Sequence, residues 1–145
     1  MNRETNLPKS YWVISIIGLI WNLMGCFNCY LEYTYWSNPD SRSVLGPDLA
    51  AMYDTMPMWM YIIFAVAVTT GTLGCIGLLM RKSWAVPLFL VSWVSVIVQM
   101  GYFILASGIL KIKGPTAVIM PILVIMIAAF LYFYAKGSKA KGWLS

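Results

Sequence analysis

A chain of 145 residues, 61% of them hydrophobic, carries only ten Lys and Arg, five Asp and Glu and no His. A soluble domain of this size exposes too much surface for so few charges to cover, and a disordered chain needs even more of them. The bases are dispersed, without a basic helix or an aromatic platform, so they leave no nucleic-acid footprint.

Four stretches lack Asp, Glu, Lys and Arg altogether: residues 10–31, 55–80, 83–110 and 114–135. Each exceeds the ~20 residues that a helix needs to cross a hydrocarbon core of about 30 Å. Lipid offers the backbone no hydrogen bonds, so a span is a helix or part of a closed barrel, and these apolar runs lack the alternation of barrel strands. The expected fold is all-α: an integral membrane, up-down four-helix bundle forming one domain over 1–145. Its spans are expected at about 11–31, 58–80, 84–108 and 116–134. The short connections at 81–83 and 111–113 make successive helices antiparallel neighbours, and the longer one, 32–56, forms an outer loop.

The first span is too long for the apolar core of a signal peptide and is expected to be retained. Its Ser15, Gly18, Asn22, Gly25, Cys29 and Glu32 recur at three- and four-residue steps, one stripe of small and polar groups suited to close helix contact. Cys26-Phe27-Asn28-Cys29 satisfies C-x-x-C, but no base stands nearby to stabilise a thiolate, and the third thiol, Cys75, falls toward the opposite end of its own span. Helix-packed, reduced thiols are expected, with thiol or quinone redox chemistry a distant alternative.

In the outer loop, Ser37-Asn38-Pro39-Asp40 reads as a turn. Leu49, Met52, Tyr53 and Met56 then share one face of a short helix that lies on the surface or caps the bundle. Glu32, Asp40, Asp48 and Asp54 outweigh Arg42 there; their spacing matches no calcium loop, so plain solvation is expected. The second span supplies Ala67, Thr70, Gly74 and Gly77 to the interior, and the third supplies Ser92, Ser95 and Gln99. The fourth has no polar residue at comparable depth and is expected to act as a lid or wedge, in which Pro121 bends the helix or leaves a carbonyl for a neighbour or water to satisfy.

Basic residues orient the bundle. Arg3, Lys9, Arg81, Lys82, Lys136, Lys139 and Lys141 fall on one side, against Arg42, Lys111 and Lys113 on the other. The positive-inside rule therefore places both termini in the cytoplasm.

No catalytic set, cofactor site or metal site is expected, because the chain has no His, no paired carboxylates and no phosphate-binding loop. The candidate site residues are Asn22, Gln99, Thr70, Ser92, Ser95 and Glu32. Two readings stay open: hydrogen bonds that fix helix packing, or the lining of a polar cavity for a neutral solute or lipid headgroup.

The segments Ile20-Trp21-Asn22-Leu23-Met24-Gly25, Pro57-Met58-Trp59, Gly71-Thr72-Leu73-Gly74-Cys75 and Arg81-Lys82-Ser83-Trp84-Ala85-Val86-Pro87 carry a resemblance. The chain resembles small, uncharacterised bacterial four-helix membrane proteins, some of which bear the loose label "sugar transporter". The resemblance implies a helical bundle in a bacterial inner membrane and identifies no substrate. The expected function is that of a small inner-membrane protein, structural or regulatory; the alternative is a carrier of a small neutral solute acting as a homo-oligomer. Membrane lipids are the expected partners in either case.

Overall fold

The computed structural model describes residues 6–145, and their regular structure is helical. Four long helices, α1 (Lys9–Ser37), α3 (Met58–Leu79), α4 (Ala85–Ala106) and α6 (Ile119–Ala140), are joined by α2 (Pro47–Thr55), α5 (Ile109–Lys113) and two 3-10 turns, Pro39–Val44 and Pro115–Val118. The four long elements have the length and apolar character needed to cross a membrane. Arg3 lies outside the described residues.

The bundle is built with its bulky apolar side chains outward. On α1, Tyr11, Ser15, Gly18 and Asn22 are buried, whereas Val13, Ile16, Ile17, Ile20, Leu23 and Phe27 are exposed. On α3, Ala67, Gly71, Gly74 and Gly77 face inward. In lipid, apolar exposure has no cost, and helices associate through small residues that let the backbones approach. The glycines of α3 show how close that approach is. A Cβ on Gly74 would stand 2.9 Å from the Phe89 ring, and one on Gly77 would stand 2.9 Å from both Ala85 and Trp84. Gly71 serves both neighbours: its missing Cβ leaves room for Asn22 of α1 and Ser92 of α4.

Helix α3 packs between α1 and α4, and α4 in turn packs on α6. Leu7 and Leu144 come together at one end of the bundle, here the terminus end, where they join a cluster of Tyr11, Cys75, Leu78, Phe89, Leu131 and Ala135. There α1 and α6 meet, through the rings of Tyr11 and Tyr134 and through Gly18 against Leu131. Toward the opposite, loop end, a second cluster of Met52, Tyr53, Met56, Met60, Tyr61 and Ile109 closes the top of the bundle. Helix α2 thus caps the bundle through Met52, Tyr53 and the adjoining Met56, with Leu49 packed against them, the four residues placed on one face by their spacing.

Several boundaries differ from the expectation. Helix α1 continues past Leu31 to Ser37, because the acidic and aromatic residues there pack against the cap rather than against lipid. The 111–113 connection is the helix α5, set between Gly108 and Gly114, both at positive φ, and it buries Ile109. Pro121 falls in the first turn of α6, where its absent N–H leaves no hydrogen bond unmade, so it has no reason to bend the helix. Helix α6 itself runs on to Ala140. After it the chain folds back: Ser145 N donates to Arg81 O at 2.9 Å, and Ser83 N donates to Ser145 O at 2.9 Å. The tail thereby satisfies the tight α3–α4 turn, in which Arg81 takes a left-handed φ of 58°.

Candidate functional site

Because α1 and α6 meet at the terminus end and part toward the loop end, a cavity of about 510 Å³ lies between them, backed by α3 and α4. This is within the range of small-molecule sites, roughly 300–1,000 Å³. Its closed end is formed by Asn22, Gly71, Phe89 and Leu131, and its cap by Met56, Tyr61, Ile109 and Lys113. Met24 of α1 and Met120 of α6 line it while also being exposed on the bundle flank, so it opens sideways between those helices.

The candidate polar residues separate into three groups. Asn22 and Ser92 stand at the closed end and bond to the protein itself. Asn22 Nδ2 donates to Gly18 O at 2.8 Å and to Cys75 Sγ at 3.5 Å. Ser92 Oγ donates to Ala67 O at 2.8 Å, across the α3–α4 contact. Gln99 and Glu32 stand toward the cap and face the cavity. The Gln99 residue is only 8% exposed, yet its side-chain amide has no hydrogen-bond partner among the described residues. Glu32 accepts one bond, from Tyr53 Oη at 2.7 Å to Oε2. Thr70 and Ser95 lie outside the cavity wall. Thr70 Oγ1 returns its bonds to Val66 O and Ala67 O of its own helix, and Ser95 is half-buried on α4.

Other residues of the site carry no polar stripe in the sequence and were not among the candidates. Tyr61 lines the cavity, and its phenolic oxygen is buried without a partner. Lys113 reaches the cavity from α5. Arg42, counted in the sequence only as a loop base, is buried beneath the cap. Its guanidinium donates to Tyr35 O, to Trp36 O at 2.6 Å and to the Asp54 carboxylate. Trp36 Nε1 adds a bond to Met56 O at 3.2 Å, and its ring lies 5.1 Å from that of Tyr61. Of the four loop acids, Glu32 is therefore a structural partner, whereas Asp54 meets Arg42 with a side chain still 70% exposed to solvent. Burial and the neighbouring Glu32 carboxylate push the Tyr53 phenol well above its ordinary value, so it remains a protonated donor.

Comparison with family models, curated proteins and solved structures returned no match. The chemistry of the cavity therefore has to be read from its own groups. Among the described residues, no three His, Cys, Asp or Glu come together as a metal site. Cys26, Cys29 and Cys75 are free thiols; Cys26 Sγ lies 3.5 Å from Thr72 Oγ1. Besides Asn22 and Ser92, which are bonded to the protein, the cavity offers a guest the amides of Gln99 and Asn28, the Thr116 hydroxyl, one carboxylate and one ammonium on largely apolar walls.

Proposed function

We propose that this is a bacterial inner-membrane protein, with both termini cytoplasmic, that acts by binding a small molecule of no net charge in the cavity between α1 and α6. The observation that carries this reading is the Gln99 amide, which faces the cavity without a partner among the described residues although the residue is only 8% exposed. Its polar atoms remain accessible from the cavity, and a guest that hydrogen-bonds them gains about 0.5–1.5 kcal/mol. The distribution of bases supports the orientation. The packed cluster at the terminus end, where Tyr11, Leu78 and Ala135 are fully buried, supports a dead-ended site and hence a structural or regulatory role over that of a carrier.

The test is ligand-dependent thermal stabilisation of the detergent-solubilised protein over a panel of uncharged and zwitterionic amphiphiles. A guest at 100 times its Kd stabilises the protein by about 2.7 kcal/mol. At least one class should stabilise the wild type and lose its effect in Gln99→Leu. Equal responses of the two proteins across the panel would refute the reading.

A further inference from the structure

The two charged groups of the cavity narrow the class of guest. Glu32 enters from α1 and Lys113 from α5, both at the cap end. Neither is used by the other: among the described residues the one salt bridge is Arg42–Asp54. Glu32 Oε2 is occupied by Tyr53, leaving Oε1 to accept. Two opposite charges facing one space, unpaired with each other, complement a guest that itself bears both signs. The amides of Gln99 and Asn28, without partners among the described residues, face the same space, and Phe64, Val96, Met100 and Val124 make up apolar parts of its wall. The opening lies on the apolar flank between Met24 and Met120, the side from which a chain-bearing molecule would enter.

We propose, resting on the cavity being a binding site, that its guest is a zwitterionic phospholipid bearing a primary ammonium, inserted sideways between α1 and α6. The ammonium donates to Glu32 and the phosphate accepts from Lys113. An ester carbonyl accepts from the Gln99 amide, and the acyl chains leave through the side opening into the bilayer. A primary ammonium is specified because a trimethylated one has no N–H to give to a carboxylate.

Native mass spectrometry of the full chain, delipidated in detergent and titrated with phosphatidylethanolamine, phosphatidylcholine, phosphatidylglycerol or chain-free glycerophosphoethanolamine, tests this. Phosphatidylethanolamine should bind most tightly. Glu32→Gln, which keeps an acceptor for Tyr53, should weaken it about tenfold or more, the scale of a hydrogen bond to a charged group, and remove the preference over phosphatidylcholine. Lys113→Gln should weaken both zwitterionic lipids. Equal binding of the three lipids, or an undiminished preference in Glu32→Gln, would overturn the proposal. Chain-free headgroup binding as tightly as the lipid would overturn the lipid as its source. If these fail while Gln99→Leu still abolishes stabilisation by some other guest, the cavity remains a binding site for a different molecule. If Gln99→Leu alters no guest, the binding reading falls with it.

Discussion

Asn22 and Gln99 look alike along the chain, both amides deep in apolar spans, but their surroundings divide them. Asn22 is 9% exposed and donates to Gly18 O and Cys75 Sγ, with its Oδ1 seated over Gly71. Asn22→Leu should therefore lower stability by about 0.6–2 kcal/mol, the range of interhelical polar contacts. Gln99→Leu removes an unpaired amide and should leave stability within about 0.5 kcal/mol of the wild type, or raise it. Thermal unfolding in detergent measures both, and the double mutant should be additive because the two amides share no bond. A loss in Gln99→Leu equal to that in Asn22→Leu would mean that the Gln99 amide has a partner inside the protein. Gly71→Ala makes a sharper demand, since the new Cβ would fall 2.1 Å from Asn22 Oδ1. It should cost about 1–3 kcal/mol, as overpacking of a tight core does. Introduced into Asn22→Ala, the same change should cost markedly less.

At the level of elements, the cap is the part of the molecule held by charge. Arg42 ties the end of α1 to α2 by filling the Tyr35 and Trp36 carbonyls and meeting Asp54. Removing it strands those carbonyls beneath the cap, so Arg42→Ala should expose the 38–56 segment to added protease far faster than in the wild type. Asp54→Asn should change the cleavage rate little, because the Asp54 side chain is 70% exposed and a pair so open to water contributes at most about 1 kcal/mol. Equal sensitivity of the two variants would contradict this division. The Glu32–Tyr53 link sets the pH behaviour of the same cap. A phenol whose folded pKa is raised contributes fully below its unfolded value, about 10, and loses that contribution as pH climbs beyond it. Cleavage of the cap should thus be flat from neutral pH to about 9 and rise only at stronger alkalinity. Tyr53→Phe should diminish that rise, the remainder coming from Tyr61, whose buried phenol belongs to the same cluster.

For the whole molecule, the decisive property is an exterior more apolar than its interior stripes, with the start of α1 and the end of α6 at the same end of the bundle. The terminus end carries Lys9, Arg81, Lys82, Lys136, Lys139 and Lys141, and the loop end carries Arg42, Lys111 and Lys113. Cytoplasmic placement of both termini predicts that tags on residues 1 and 145 resist an impermeant protease in intact spheroplasts and are cut after lysis. Cleavage of either tag before lysis would reverse the orientation. The two ends of the bundle also differ in construction. The terminus end is sealed by Tyr11, Phe89, Leu131 and the returning tail, whereas the loop end is closed by a separate cap over a cavity.

Sequence alone determined the helical class, the four long apolar elements and the inward stripe of α1, because hydrocarbon forbids unpaired backbone and charge over ~20 residues whatever the partners. It also brought Asn22, Ser92, Gln99 and Glu32 under suspicion through their spacing on helix faces. Only the tertiary structure decided that Asn22 and Ser92 are bonded to the bundle while Gln99 is not, since helical period gives a direction and not a partner. The same holds for Arg42, which reads as a loop charge until the end of α1, the 3-10 turn and α2 surround it. Lys113 joins the cavity only because α5 folds over the gap between α1 and α6, and Tyr61 only because α3 backs that gap. The cavity itself has no sequence signature. It exists because two helices distant in the chain touch at one end and part at the other, and no local pattern records the angle between them.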